Sequence, residues 1–251
     1  MARFFLTSLL SAGLLFACTT KEFDPDNPKK SFVIAKEPYD DGNYEIAINK
    51  LGEFKSRFPY SQFATEAELL LANSHFELSH YPEATAAYSQ FIKLHPKHPK
   101  RAFAQFRIGQ SYWADAPEEI DREQDFTAKA IHEWEILIKN YPKSEHTKED
   151  LKLIEEGKLR TIRSEDFIAN FYCRQEIWHA CAWRYVQLAD TAPPKFKDMI
   201  KKALEKASDA LDHLAEEWTE ETKEANLYFK KMTPKEMREQ AKLMRQKAAK
   251  I

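Results

Sequence analysis

Tyr81-Pro82-Glu83-Ala84-Thr85-Ala86-Ala87-Tyr88-Ser89-Gln90-Phe91-Ile92-Lys93-Leu94-His95-Pro96 opens on an aromatic residue, places alanine three positions on and proline fifteen positions on. Gly42-Asn43-Tyr44-Glu45-Ile46-Ala47 through Phe58-Pro59 keeps the same spacing. The frame recurs at Thr127, Ala130, Trp134, Leu137 and Tyr141-Pro142, and again at Trp178, Cys181, Tyr185, Leu188 and Ala192-Pro193. Residues in one column share a chemistry: Ala47, Ala84, Ala130 and Cys181 are small, while Leu51, Tyr88, Trp134 and Tyr185 are bulky, as are Phe54, Phe91, Leu137 and Leu188. These offsets bring all three columns onto one face of an α-helix.

Such a block matches the second helix of a tetratricopeptide repeat. The small residue lets a partner helix approach, the bulky residues fill the core, and proline stops the helix. Matching first helices precede the blocks, with Leu71-Ala72 and His75-Phe76 in one unit and Ile108-Gly109 and Tyr112-Trp113 in the next. With only 5 glycines, 31% charged residues and no alternating β pattern, the chain reads as all-α. The expected architecture is a tetratricopeptide-repeat solenoid of about five helix pairs over residues 37–218, followed by a basic helical extension over 219–251. A helix is expected from Lys195 to about Trp218 with Met199, Ala203, Ala207, Ala210 and Leu214 inward. Thr233, Pro234 and Glu236 then open a last helix with a capping box, its apolar face being Met237, Ala241, Met244 and Ala248. The longer spacing from Pro96 to Pro142 predicts a charged loop inserted at about 114–125, and insertions in solenoids fall on surface loops that often bind partners.

The N-terminus has a different character. Met1-Ala2-Arg3 supplies a positive start, and Phe4 to Phe16 an apolar run too short to span a membrane as a mature helix. Leu15-Phe16-Ala17-Cys18 resembles a bacterial lipobox, so residues 1–17 are expected to be a lipoprotein signal peptide and Cys18 the lipid attachment site. Covalent diacylglycerol and an N-acyl chain on Cys18 would anchor the protein without a transmembrane helix. An ordinary signal peptide is the plainer alternative. Residues 18–36, with Pro25 and Pro28, read as a flexible tether, and Thr19 after the cysteine resembles outer-membrane sorting on the periplasmic face.

A formal charge of -2 with interspersed signs argues against nucleic acid as a partner. The histidines lack metal-ligand spacing: prolines separate His95 from His98, and His179 and Cys181 point different ways on a helix. No phosphate loop or nucleophile motif is present, so neither metal, cofactor nor catalytic residue is assigned and the chain is not expected to be an enzyme. Export places Cys173 and Cys181 in an oxidising compartment. On one continuous helix they would stand about 12 Å apart, too far to bond; across a helix turn they can meet. A disulfide and two small packing residues are both open readings.

Repeat register places Glu66, Leu69, Asn73 and Phe76 of one first helix, and Phe103, Phe106, Gln110 and Trp113 of the next, on the concave side. The amides of Asn73 and Gln110 suit the backbone of an extended peptide, and the aromatic residues offer apolar pockets, so this face is a candidate groove for an unfolded strand. Burial beneath the inserted loop or a neighbouring helix is the competing reading.

The sequence also resembles one family, the BamD lipoproteins of the outer-membrane β-barrel assembly (Bam) complex. The resemblance is carried by the lipobox cysteine, Gly42-Asn43-Tyr44 with Ala47-Ile48, Arg57-Phe58-Pro59-Tyr60-Ser61, Phe91 to Pro96 followed by His98-Pro99, Asp121-Arg122-Glu123 before a helix ending Tyr141-Pro142-Lys143-Ser144, and Phe171-Tyr172 leading to Trp178. It implies an outer-membrane scaffold, lipid-anchored, that binds the membrane-proximal POTRA domain of a BamA-like insertase, unfolded outer-membrane barrel clients and other Bam lipoproteins. The family's arginine at the POTRA contact falls at Arg184, where the alternative is a helix arginine paired with a nearby carboxylate. Cys173-Arg174-Gln175-Glu176 before Trp178 and the longer basic tail depart from the family's familiar members. The competing identity is another periplasmic repeat lipoprotein, such as a pilotin-like factor or an adaptor coordinating envelope growth.

Overall fold

The computed structural model describes residues 22–219 and 228–251. Ten helices occur among them: α1 Pro28–Asp40, α2 Tyr44–Arg57, α3 Ala64–Glu77, α4 Tyr81–Leu94, α5 Arg101–Asp115, α6 Asp125–Asn140, α7 Thr147–Arg174, α8 Trp178–Thr191, α9 Lys197–Glu216 and α10 Pro234–Ala248. Each packs mainly on the helix before and after it in the chain. Nearest-neighbour packing of helix pairs is the mark of a solenoid, and the pairs α1/α2 to α9/α10 make five. No described helix is long and apolar enough to cross a membrane.

The registered columns are the core. Ala47, Ala84, Ala130 and Cys181 are buried, as are Leu51, Tyr88, Trp134 and Tyr185 one turn on and Phe54, Phe91, Leu137 and Leu188 beyond them. The interior divides along the chain into successive clusters, each built by one bulky set and the helices flanking it. The closest approach is at Gly109 of α5, where an added Cβ would stand 2.2 Å from Nε1 of Trp134. That indole N–H donates to the Phe106 carbonyl at 3.4 Å, in the turn of α5 beside the glycine.

Three boundaries differ from the expectations. The segment expected as a tether over 18–36 is helical from Pro28 on, where α1 begins and buries Phe32 and Ala35. Pro28 occupies the first helical turn, where its missing N–H costs nothing, and the Asn27 side chain accepts from the Lys30 amide at 3.0 Å. Phe32 stacks on Phe63 at 5.1 Å and Phe23 meets the Phe54 ring edge-on at 6.3 Å, so this segment completes the first core cluster. Cys18 and the signal peptide lie outside the described residues. The inserted loop narrows to residues 116–124 and is tied by Gln124, whose Nε2 donates to the carbonyls of Glu119 and Arg122 at 3.1 and 3.2 Å. Lastly, α10 is half of the fifth pair, with Met237, Ala241 and Ala248 buried.

Asp150 stands out in the first turns of α7. It is fully buried, and neither carboxylate oxygen has a hydrogen-bond partner among the described residues. Desolvation, with a smaller push from Glu149, raises its pKa from the usual aspartate range to about 7. The folded state therefore holds this proton where the unfolded chain has lost it, so stability is greatest below the unfolded pKa and falls as pH rises to about 7.

Two outcomes follow. Gly109→Ala should lower stability in urea titration by roughly 1–3 kcal/mol, the overpacking cost outweighing the gain in helix propensity. Asp150→Asn should flatten the decline in melting temperature that the unmodified protein shows between mildly acidic and mildly alkaline buffer; an equally steep decline in the variant would show that another group is responsible.

A candidate partner-binding face at the inserted loop and Arg184

The two departures from the regular repeat converge in space. One is the loop 116–124 and the other is α7, at 28 residues twice the length of most neighbours. Asp121, Arg122, Glu123 and Asp125 line a cleft of about 430 Å³ whose far wall is Thr161, Ser164 and Glu165 of α7 with Arg184 of α8. A second, apolar trough of about 240 Å³ lies between α6, α7 and α8 and is lined by Ile131, Ile162, Leu188 and Pro193. Thr161, Glu165 and Ala128 belong to both, so cleft and trough are continuous.

Arg184 is held on two sides. Its Nη1 donates to Glu165 at 3.1 Å, and its guanidinium lies 5.3 Å from the Tyr172 ring centre and 5.8 Å from that of Trp183. The side chain keeps 26% of its surface exposed, enough to reach a second acceptor. On the next residue of each helix, the Tyr185 hydroxyl donates to Asp166 at 3.0 Å, and Lys202 of α9 pairs with the same carboxylate at 2.7 Å. Burial and that carboxylate push the Tyr185 phenol well above the ordinary tyrosine range, so it remains a hydrogen-bond donor.

Beyond Arg184, Cys173 at the end of α7 is disulfide-bonded to Cys181 of α8, with their Cα atoms 5.0 Å apart. The intervening turn carries Glu176 in the left-handed region at φ 57°. Trp178 stacks on His213 of α9 at 4.3 Å and donates to Glu217 at 3.1 Å. On the outer face of this corner Phe167, Phe171 and Ile177 remain exposed. The trough and this aromatic pair are parts that the repeat columns do not reveal; the i,i+4 spacing of Phe167 and Phe171 on the face opposite buried Ala169 is their signal in the sequence.

The first-helix face is built otherwise than expected. Glu66 is exposed, and Leu69, Phe76 and Phe103 pack at the margin of the second core cluster, around Tyr88 and Phe91. Asn73 is already bonded inside the chain: its Nδ2 donates to the Tyr39 hydroxyl at 3.2 Å, and its Oδ1 accepts from Tyr88 at 2.6 Å. The guanidinium of Arg107 covers the Phe76 ring at 3.5 Å while donating to Glu77 at 2.8 Å and to the carbonyl of the Gln110 side chain at 3.3 Å. Phe106 belongs to the interior and stacks on His146 at 4.3 Å, because the start of α7 lies over it. Trp113 lies against Trp134 and is capped by Arg160 at 3.9 Å. An open aromatic groove is therefore replaced by a face on which arginines already occupy the rings.

Comparison with known proteins assigns the family. The model of the YfiO family, described as outer membrane lipoprotein, matches residues 25–227. The chain belongs to this family. The chain is also similar to the outer membrane protein assembly factor BamD of Vibrio cholerae, 25% identical over 83% of this chain and 90% of its own length. The BamD of Pasteurella multocida is 22% identical over 73% of this chain and 75% of its length. Among solved structures, a Podosopora anserina kinesin light chain with nearly identical TPR-like repeats aligns with 92% of this chain and all of its own at a TM-score of 0.37 and 14% identity.

The disulfide can be checked directly. Reduction and alkylation should label Cys173 and Cys181 only after reductant, and Cys173→Ser, which spares the small residue in the core column, should cost roughly 2–3 kcal/mol for a closed loop of this size. Free thiols in the protein taken from cells would contradict the bond.

Proposed function

We propose that this protein is a scaffold of outer-membrane β-barrel assembly, attached to the membrane by acyl chains on Cys18, and that the face around Arg184 receives a folded POTRA-type domain of the barrel insertase. The observation that carries the reading is the convergence of the inserted loop, the long α7 and Arg184 on one cleft. The rest of the array repeats; this part does not, and irregularities in a solenoid are where binding specificity is built. The family match and the names of the curated relatives supply the process.

The chemistry of the face suits a folded partner. Asp121, Glu123 and Asp125 form an acidic rim opposite the cationic Arg184, so a partner edge with both signs of charge can align on it. The apolar trough beside it supplies area that gains free energy when water leaves. The disulfide and the Trp178–His213 stack hold the corner in one geometry before contact, which lowers the ordering cost of binding. The role is one of holding and positioning. Delivery of unfolded barrel strands and contact with other Bam lipoproteins are parts of the same scaffold role, for which the arginine-capped first-helix face offers no ready apolar slot.

Affinity purification of the full chain from detergent-solubilised membranes of its own host tests this. The insertase should be recovered with the unmodified protein and lost with Arg184→Glu, because reversing a charge at a contact typically costs on the order of 2–5 kcal/mol. The swap Glu165→Arg with Arg184→Glu restores the internal pair; if it also restores recovery, Arg184 serves only the fold. Recovery of a secretin or a murein synthase in place of the insertase would assign the chain to another envelope process.

A further inference from the structure

The densest positive charge in the chain lies near its C-terminal helix. Between residues 230 and 250 the sequence carries Lys230, Lys231, Lys235, Arg238, Lys242, Arg245, Lys247 and Lys250 against Glu236 and Glu239, in a protein whose formal charge is -2. Glu236 is already committed to the start of α10, where its carboxylate accepts from the Thr233 amide at 2.7 Å in a capping box. Arg245 is neutralised by Asp209 and Asp212 of α9. Lys235, Arg238 and Lys242 are exposed and have no ion pair among the described residues.

Their spacing is unfavourable for an isolated helix. Arg238 has Lys235 three residues before it and Lys242 four residues after it, and Lys242 has Arg245 three residues on. Like charges at these offsets are neighbours on the helix surface and repel one another. The helix is nonetheless rigidly presented, because Met237, Ala241 and Ala248 are sealed against α9. The three unpaired cations then lie along a line of about 10 Å, from the helical rise. Leu243, next to Lys242 on the helix, keeps 51% of its surface exposed, and Ile251, just past the helix end, keeps 43%.

We infer that α10 is a lipid-contacting helix that binds the anionic headgroups of a bilayer surface. A row of long cationic side chains on a straight helix suits a plane of diffuse negative charge, and the exposed aliphatic residues beside the row suit the headgroup boundary. Glu239, four residues after Lys235 and three before Lys242, offsets part of that repulsion, and anionic headgroups relieve the rest. Each cation held at such a surface contributes roughly a fivefold gain in partitioning, so the three together give roughly a hundredfold preference for an anionic over a neutral bilayer. The inference rests on the membrane attachment proposed above only for access to lipid; it concerns a different face from Arg184.

The test uses the full chain purified from membranes and reconstituted into vesicles of phosphatidylcholine alone or of equal parts phosphatidylcholine and phosphatidylglycerol. Flotation reports membrane attachment by itself. Acetylation of Lys242 and Lys247, read by mass spectrometry, reports α10. Their labelling should slow severalfold only in the phosphatidylglycerol vesicles and recover at high salt, where charge interactions are screened. Lys235→Gln, Arg238→Gln and Lys242→Gln combined should remove the protection of Lys247 while leaving thermal stability unchanged or raised. A photoreactive residue at Leu243 should form lipid adducts in native membranes. Equal labelling in both vesicles overturns the inference, whether or not the protein floats with them; so does a discrete protein adduct at Leu243 in place of lipid, which would make the basic face a docking site for an acidic protein.

Discussion

A solenoid has no shared centre, so each helix pair must seal its own slice of core against the next, and close approach between neighbouring helices is the condition for doing so. Trp134 shows how narrow the margin is. Its ring fits because Gly109 of the facing helix has no side chain, and its N–H finds the Phe106 carbonyl across the same gap. A second glycine, Gly157 of α7, stands where an added Cβ would be 2.8 Å from Ile131 of α6. The small column of Ala47, Ala84, Ala130 and Cys181 repeats the device down the array. Remove the close approach and the bulky columns lose their walls, since van der Waals attraction falls away over fractions of an ångström.

A second motif recurs at the faces of the array. Arg107 lies over Phe76 and pairs with Glu77; Arg160 lies over Trp113; Arg184 lies near Tyr172 and pairs with Glu165. In each case a planar cation covers an aromatic ring that would otherwise meet water. Stacking a guanidinium on a ring keeps the hydrogen-bond donors at its rim free to pair, so an aromatic side chain can sit at the surface beneath a polar cover. The faces of this solenoid are consequently more polar than their sequence composition suggests. The apolar trough between α6, α7 and α8 and the exposed Phe167 and Phe171 are among the places left uncovered, and the trough is lined by Glu165, the partner of Arg184.

The repeat was legible because it is local. Aromatic, small residue and proline recur at fixed offsets on single helices, and helical geometry alone assigns them to one face. The capping box at Thr233 and Glu236 is local in the same sense. The tether misled for the opposite reason. Prolines and mixed charges in residues 18–36 look extended, yet Phe23 and Phe32 find Phe54 and Phe63 well along the chain, and that burial outweighs a weak local preference. Phe106 and Asn73 failed as groove residues likewise: His146 covers the first, and Tyr39 and Tyr88 consume both ends of the second.

By itself the sequence determined the helical class, the columns that face inward, the position of the insertion and the cationic last helix, since each depends on residues within a few helical turns. Tertiary structure alone decided what those surfaces offer. It brought the loop at Asp121 against Arg184, closed Cys173 onto Cys181 across a turn, drew arginines over the aromatic face and paired Arg245 while leaving Arg238 bare. These outcomes join residues far apart along the chain, and their energies depend on distances and burial that no spacing rule encodes.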